Sequence, residues 1–166
     1  MLDAGKDIMT TEILVLKATE QDIPQIVELW NQLMDLHKEL DPVFSRRIGG
    51  EEVFTEFVKG NIAGEDACVV VAHVGSEIVG YCQAKILKYP PVLETAQVVE
   101  LHDCFVREDM RGRGIGCKLV DAIRDWCCNK GLSRVEVRHS TRNPGAGEFW
   151  IKMGFKPYLK TLFLEV

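Results

Sequence analysis

Arg111-Gly112-Arg113-Gly114-Ile115-Gly116 decides how this chain is read. The hexapeptide follows an extended apolar run, Val98-Val99-Glu100-Leu101-His102-Asp103-Cys104-Phe105-Val106, and opens a helix-periodic segment from Cys117 to Lys130. Strand, glycine-rich turn and helix in that order aim several backbone N–H groups at one point. The helix dipole adds partial positive charge there, and two arginines stand beside it. The combination is a seat for phosphate oxygens, so a phosphorylated cofactor is expected.

What the motif lacks narrows the choice. Cys117-Lys118-Leu119 follows the last glycine, so the Lys and Ser/Thr of a P-loop are missing. Cys117 also stands where a dinucleotide fingerprint needs glycine, and the next strand, Arg134-Val135-Glu136-Val137, does not end in that fingerprint's acidic residue. What is left is R-x-x-G-x-G on a strand–turn–helix, which resembles the pyrophosphate loop of the GNAT superfamily of acyl-CoA-dependent N-acetyltransferases.

The resemblance continues on both sides of the loop. Cys104-Phe105-Val106 stands where that family has the apolar triplet whose backbone pairs with the pantetheine arm. Downstream, Val135-Glu136-Val137, Asn143, Ala146, Phe149-Trp150 and Gly154-Phe155 follow the family's order of strand, asparagine, short helix with an aromatic pair, and Gly-Phe. The match runs over residues 12–166. It implies one α/β (mixed α+β) domain, a central twisted mixed sheet with helices on both faces. It implies acetyl-CoA as acyl donor and an amine as acceptor, a small molecule before a protein. The cofactor-binding residues it implies are Cys104 to Val106 with Arg111, Gly112, Arg113, Gly114, Ile115, Gly116 and Cys117, followed by Asn143, Ala146 and Trp150. No metal is implied, and a homodimer is left open.

The remaining elements read outward from the loop. Ile13 to Ala18 is a strand. Thr19 or Asp22 caps a helix whose positions Ile23, Ile26, Val27, Trp30, Leu33, Met34 and His37 keep helical spacing until Asp41-Pro42 stops it. Val53, Phe54, Phe57, Val58 and Ile62 give a second helix after Gly49-Gly50. Ala67 to Val74 and Glu77 to Lys88 form a hairpin about Gly75-Ser76. After the loop come a helix ended by Lys130-Gly131, a buried strand, the Asn143–Gly154 segment and a last strand over Leu159 to Val166.

Bulk properties set limits. The 166 residues suit a single domain, and a net charge of −5 disfavours nucleic-acid and anionic-membrane partners. Residues 1–11 read as a flexible tail without an apolar stretch long enough for a signal peptide or a span. The six cysteines show no C-x-x-C pairing or zinc-ligand spacing, so reduced thiols in a cytoplasmic protein are expected.

The chemistry centres on proton removal. A lysine-like amine has a pKa of about 10.4 and must lose its proton before attacking a thioester. Strand alternation puts Glu100, His102 and Cys104 on one face and Leu101, Asp103 and Phe105 on the other. Glu100 stands where histone-type members of the resembled family carry their catalytic glutamate. His102 stands where polyamine-type members carry one. Glu100 reads equally as a base and as a strand residue reaching solvent; His102 reads as a proton relay or as a neutral hydrogen-bonding imidazole. Asp103 falls on the opposite face and reads as structural. Trp150 replaces the tyrosine expected as general acid, and an indole N–H does not give up its proton in water. Tyr158, Tyr89 or water is then left for that part, and an acyl-CoA-binding module without turnover is the alternative. Acetylation of a protein N-terminus or lysine is a further one. The resemblance implies acceptor selection by the first two helices and their loop, here Asp35, His37, Glu39, Asp41, Phe44, Arg46 and Arg47, which read more simply as a solvated loop.

Overall fold

The computed structural model describes residues 12–166, so the tail expected over 1–11 lies outside the described residues. Strands β1 (Ile13–Lys17), β2 (Ala67–Val74), β3 (Glu77–Lys88), β4 (Gln97–Val106) and β5 (Val135–Val137) form one sheet in that spatial order. The first three pairings are antiparallel and β4–β5 is parallel, which makes the sheet mixed. β2 is almost uniformly apolar, as a strand buried on both faces must be. Gly75, at φ 62°, supplies the left-handed residue of the tight turn into β3.

Period-two alternation divides the side chains of β2 between two cores. Val69 and Val71 meet Ile26, Leu29 and Leu33 of α1 (Ile23–Leu40) and Phe54 and Val58 of α2 (Gly50–Ala63). Cys68, Val70 and Ala72 face the other way, toward Leu119, Val120 and Ile123 of α3 (Ile115–Asn129) and Trp150 of α4 (Pro144–Lys152). The helices therefore cover both faces of the sheet, as expected.

β4 breaks the alternation, and this corrects the sequence reading. Gln83 pairs with Asp103, but the next residue of β3, Ala84, pairs with Leu101. His102 is the extra residue of a β-bulge. Val99 and Leu101 pack on the α3 side, whereas Phe105 packs on the α1–α2 side, although residues 101 and 105 share parity. Glu100, His102 and Asp103 consequently all turn toward α1 and α2. Asp103 does not point away from the other two. Cys104, expected on their face, packs with the α3-side core instead.

Two further features position the site. β5 pairs with β4 only over Val99 to Leu101, so the stretch of β4 from His102 to Val106 has no partner on that side among the described residues. The last strand expected over Leu159 to Val166 is not formed. Pro157 brings no N–H, and β5 offers three residues of edge to pair with. Leu159, Leu162, Phe163 and Leu164 remain exposed.

Candidate functional site

The α3 N-terminus is built by backbone conformation. Gly112 and Gly114 have φ of 76° and 78°, where a Cβ is strained. Gly114 is the N-cap, and no side chain caps the helix. Lys118 N–H is the first to close on this end, at 3.1 Å from the Gly114 carbonyl. The N–H groups of Ile115, Gly116 and Cys117 therefore point out along the axis. The Ile115 side chain is buried in the core, so its N–H is what it offers outward. Arg111 donates through Nε to the Val106 carbonyl at 3.0 Å and lies over the Phe105 ring, fixing the loop to the end of β4. Arg113 is exposed.

Gly116 is glycine for a different reason. A Cβ there would lie 3.2 and 3.3 Å from two atoms of the Phe149 ring, so α4 is seated directly on this turn of α3. A pyrophosphate fits this cradle: three outward N–H groups, a helix dipole, two arginines and no carboxylate within the loop.

The implied residues further along divide into backbone and packing roles. Phe105 is buried on the α1–α2 side, so at the open edge of β4 it presents main chain. Cys104 is half-buried and paired in register with Cys82. Asn143 caps α4, its Oδ1 accepting from Ala146 N–H at 3.0 Å. The spacing of these two residues is therefore that of a helix start. Trp150 is 7% exposed and meets Phe149 and Phe155 edge-on, with ring centroids 4.8 and 5.2 Å away. It belongs to the core.

A polar wall faces α1 and α2 beside the open edge. Glu100 holds His102 Nε2 at 3.2 Å through Oε2 and the Arg138 guanidinium through Oε1. The His102 ring stacks on Phe57 of α2 at 6.0 Å. Asp103 Oδ2 accepts from Tyr81 Oη at 3.2 Å and from Gln83 Nε2; Gln83 in turn accepts from Asn61 of α2 at 3.1 Å. Burial pushes the Asp103 carboxyl up, with Gln83 and Tyr81 opposing. Burial also lowers His37 of α1, against the pull of the Asp103 charge.

The two tyrosines considered as acids lie elsewhere. Tyr89 and Tyr158 both donate to Glu136 of β5, at 2.8 and 2.6 Å, and Arg134 joins them. Burial would raise Glu136, but the bonds from Tyr158, Arg134 and Tyr89 outweigh it and hold the carboxyl low. Tyr89 is held well above its ordinary value by Tyr158 and Glu136.

Sequence reading put Asp103 on the wrong face and missed its Gln83–Asn61 support and the Arg138 contact. The available signal for Asp103 was a further polar residue in β4, directly after His102, where strict alternation calls for one polar residue in two. Near α1, Arg46 pairs with Asp35, and Arg142 joins Asp41 and the Leu40 carbonyl, so the acidic residues there are largely matched by arginines.

Known proteins share this fold. The BH1408 protein of Bacillus halodurans, as a tetramutant, superposes with a TM-score of 0.81 at 22% identity, covering 92% of this chain and 99% of that one. The aminoglycoside N-acetyltransferase AAC(6')-Iy, in complex with CoA, gives 0.73 at 18% identity, covering 93% and 95%. An uncharacterized N-acetyltransferase of Methanocaldococcus jannaschii is 38% identical over 64 residues, 39% of this chain. The chain spans only 28% of that relative's length. The pattern of the Acetyltransferase (GNAT) family matches residues 30–155, most of the chain. The chain belongs to the GNAT acetyltransferase family.

Proposed function

We propose that this chain transfers an acetyl group from acetyl-CoA to a primary amine by direct attack of the amine on the thioester. The observation that carries the reading is the uncapped α3 N-terminus opening beside the unpaired His102–Val106 edge of β4. The N–H groups of residues 115–117, with Arg111 and Arg113, suit the pyrophosphate. The edge offers main-chain groups to the pantetheine amides, and Cys104 and Val106 line it. CoA bound to AAC(6')-Iy, a protein of the same fold, supports the donor. A small cationic amine suits the acidic wall and the net charge of −5. Six free thiols fit a reducing, cytoplasmic setting.

Glu100 is the base in this reading, with His102 in hydrogen-bond contact to pass the proton. The ammonium loses its proton toward this pair, the free amine attacks the carbonyl carbon, and CoA leaves as thiolate. Trp150 has no acidic proton to give, and Tyr89 and Tyr158 are committed to Glu136. A thiol pKa of about 8.5 lets the thiolate depart without help. Cys104 and Cys117 need not act, because donor and amine meet directly.

Mass spectrometry after incubation with acetyl-CoA and a panel of amines, N-terminal peptides and lysine peptides tests the proposal. An acetylated small amine is expected. Acetyl-CoA binding with no acetylated product would make the chain a binding module. Glu100→Gln should slow transfer by about 10²–10⁴-fold, leave CoA affinity nearly unchanged and flatten the acidic limb of the pH–rate profile. An unchanged profile would move the base to His102 or water.

A further inference from the structure

The bulge at His102 has placed Asp103 where nothing in the strand's alternation required it. One carboxylate oxygen, Oδ2, is held by Tyr81 and Gln83. Among the described residues Oδ1 accepts no hydrogen bond, and no Lys or Arg pairs with the group. No side-chain polar atom among them is both fully buried and unpartnered, so Oδ1 still reaches the surface of its niche. His37 from α1 and His102 are the cationic-capable groups close enough to act on it. A carboxylate in this setting lacks its counter-ion, and the cost of burying it is offset only in part by two neutral donors.

Glu100 differs on each count. Both of its oxygens are engaged, by His102 and Arg138, and it lies in register with Glu136 on the β5 side. Asp103 is tied instead to β3, with α2 behind it through Asn61. The two carboxylates therefore have different surroundings on the same side of β4: Glu100 is in register with Glu136 of β5, and Asp103 is tied to Tyr81 and Gln83 of β3.

We propose that Asp103 is a specificity-determining residue whose free oxygen binds a second cationic nitrogen of the acceptor, selecting amines that carry another positive charge beside the one acetylated. This rests on the acetyl-transfer reading for its consequence in turnover, but not for the binding itself. The occupied oxygen fixes the side chain's direction through Tyr81 and Gln83, so little ordering is needed when the cation arrives.

The test compares 1,4-diaminobutane with n-butylamine, which differ at the far end by one ammonium. Wild-type protein should prefer the diamine in kcat/KM by about 10- to 100-fold, the range expected of one charge-assisted contact. The preference should lie in KM. Asp103→Asn keeps an acceptor for Tyr81 and Gln83 and should bring the two amines level without changing CoA affinity. His37→Lys, on a helix surface and not in the sheet, brings a competing cation to the niche and should erode the same preference, so the test does not depend on one variant folding. If no amine is acetylated, calorimetry with each amine in the presence of desulpho-CoA reads the same ratio as affinities. In that event the transfer reading fails while the diamine preference still decides the role of Asp103. Equal treatment of the two amines by wild type, or a preference that survives Asp103→Asn, would overturn the proposal.

Discussion

An aspartate set between a sheet and two helices loses hydration that water would supply. Burial accordingly raises Asp103, against the hydrogen bonds from Gln83 and Tyr81. Because the folded value lies above the unfolded value of about 3.9, folding takes up a proton in the window between them. The penalty is fully present above the folded pKa and is relieved as pH falls through it. Asp103→Asn removes the charge and keeps the acceptor, so at pH near 7 the variant should melt above wild type. The gap should narrow on acidification. The Asp103 charge also raises His37 and Tyr81, so the gap between the melting curves includes the loss of that charge on these two neighbours. A lower melting point at every pH would mean that the charge stabilises the fold. Trp150 sits at the other extreme, an apolar residue at a motif position associated with acid chemistry. Its burial against Phe149 and Phe155 predicts that Trp150→Ala costs about 3–5 kcal/mol in denaturant unfolding, the usual cost of emptying such a site.

Among the elements, α3 and α4 are closely packed beside the glycine loop. Gly116→Ala gains up to about 1 kcal/mol of helix propensity, but its methyl meets the Phe149 ring at 3.2 Å. Overpacking of this kind costs about 1–3 kcal/mol, so net destabilisation is expected. Phe149→Leu should reduce that cost in a double-mutant cycle, and additive effects would break the link between them. The helices and the β2–β3 hairpin were legible in the sequence because their apolar spacing and turn glycines are local signals. So was the loop, whose Gly112 and Gly114 answer a backbone requirement. The bulge was not legible. Period two assigns faces only while the register holds, and the polar pair His102-Asp103 does not by itself specify the slip that turns Asp103 toward α2. The strand expected over Leu159 to Val166 failed for the complementary reason. Its pattern is suitable, but β5 presents too short an edge.

At the scale of the molecule, β2, β3 and β4 contribute side chains to both cores, so neither core can open without disturbing strands the other needs. A single cooperative transition is expected on heating. The loop at 111–117 joins β4 to α3, and a ligand held there stabilises the assembly by mass action. At acetyl-CoA about 100 times its Kd the gain is about 2.7 kcal/mol. For a domain of this size each kcal/mol moves the midpoint by about 2–4 °C, so a rise of about 5–10 °C is expected. Gly114→Asp sets a carboxylate beside the outward N–H groups and against the phosphates, in a left-handed conformation that Asp tolerates better than most residues. This variant should lose most of the rise while still melting cooperatively without ligand. A rise of equal size in the variant would take the pyrophosphate away from α3. Two separate transitions, with only one of them shifted by acetyl-CoA, would instead show that the shared strands do not couple the cores.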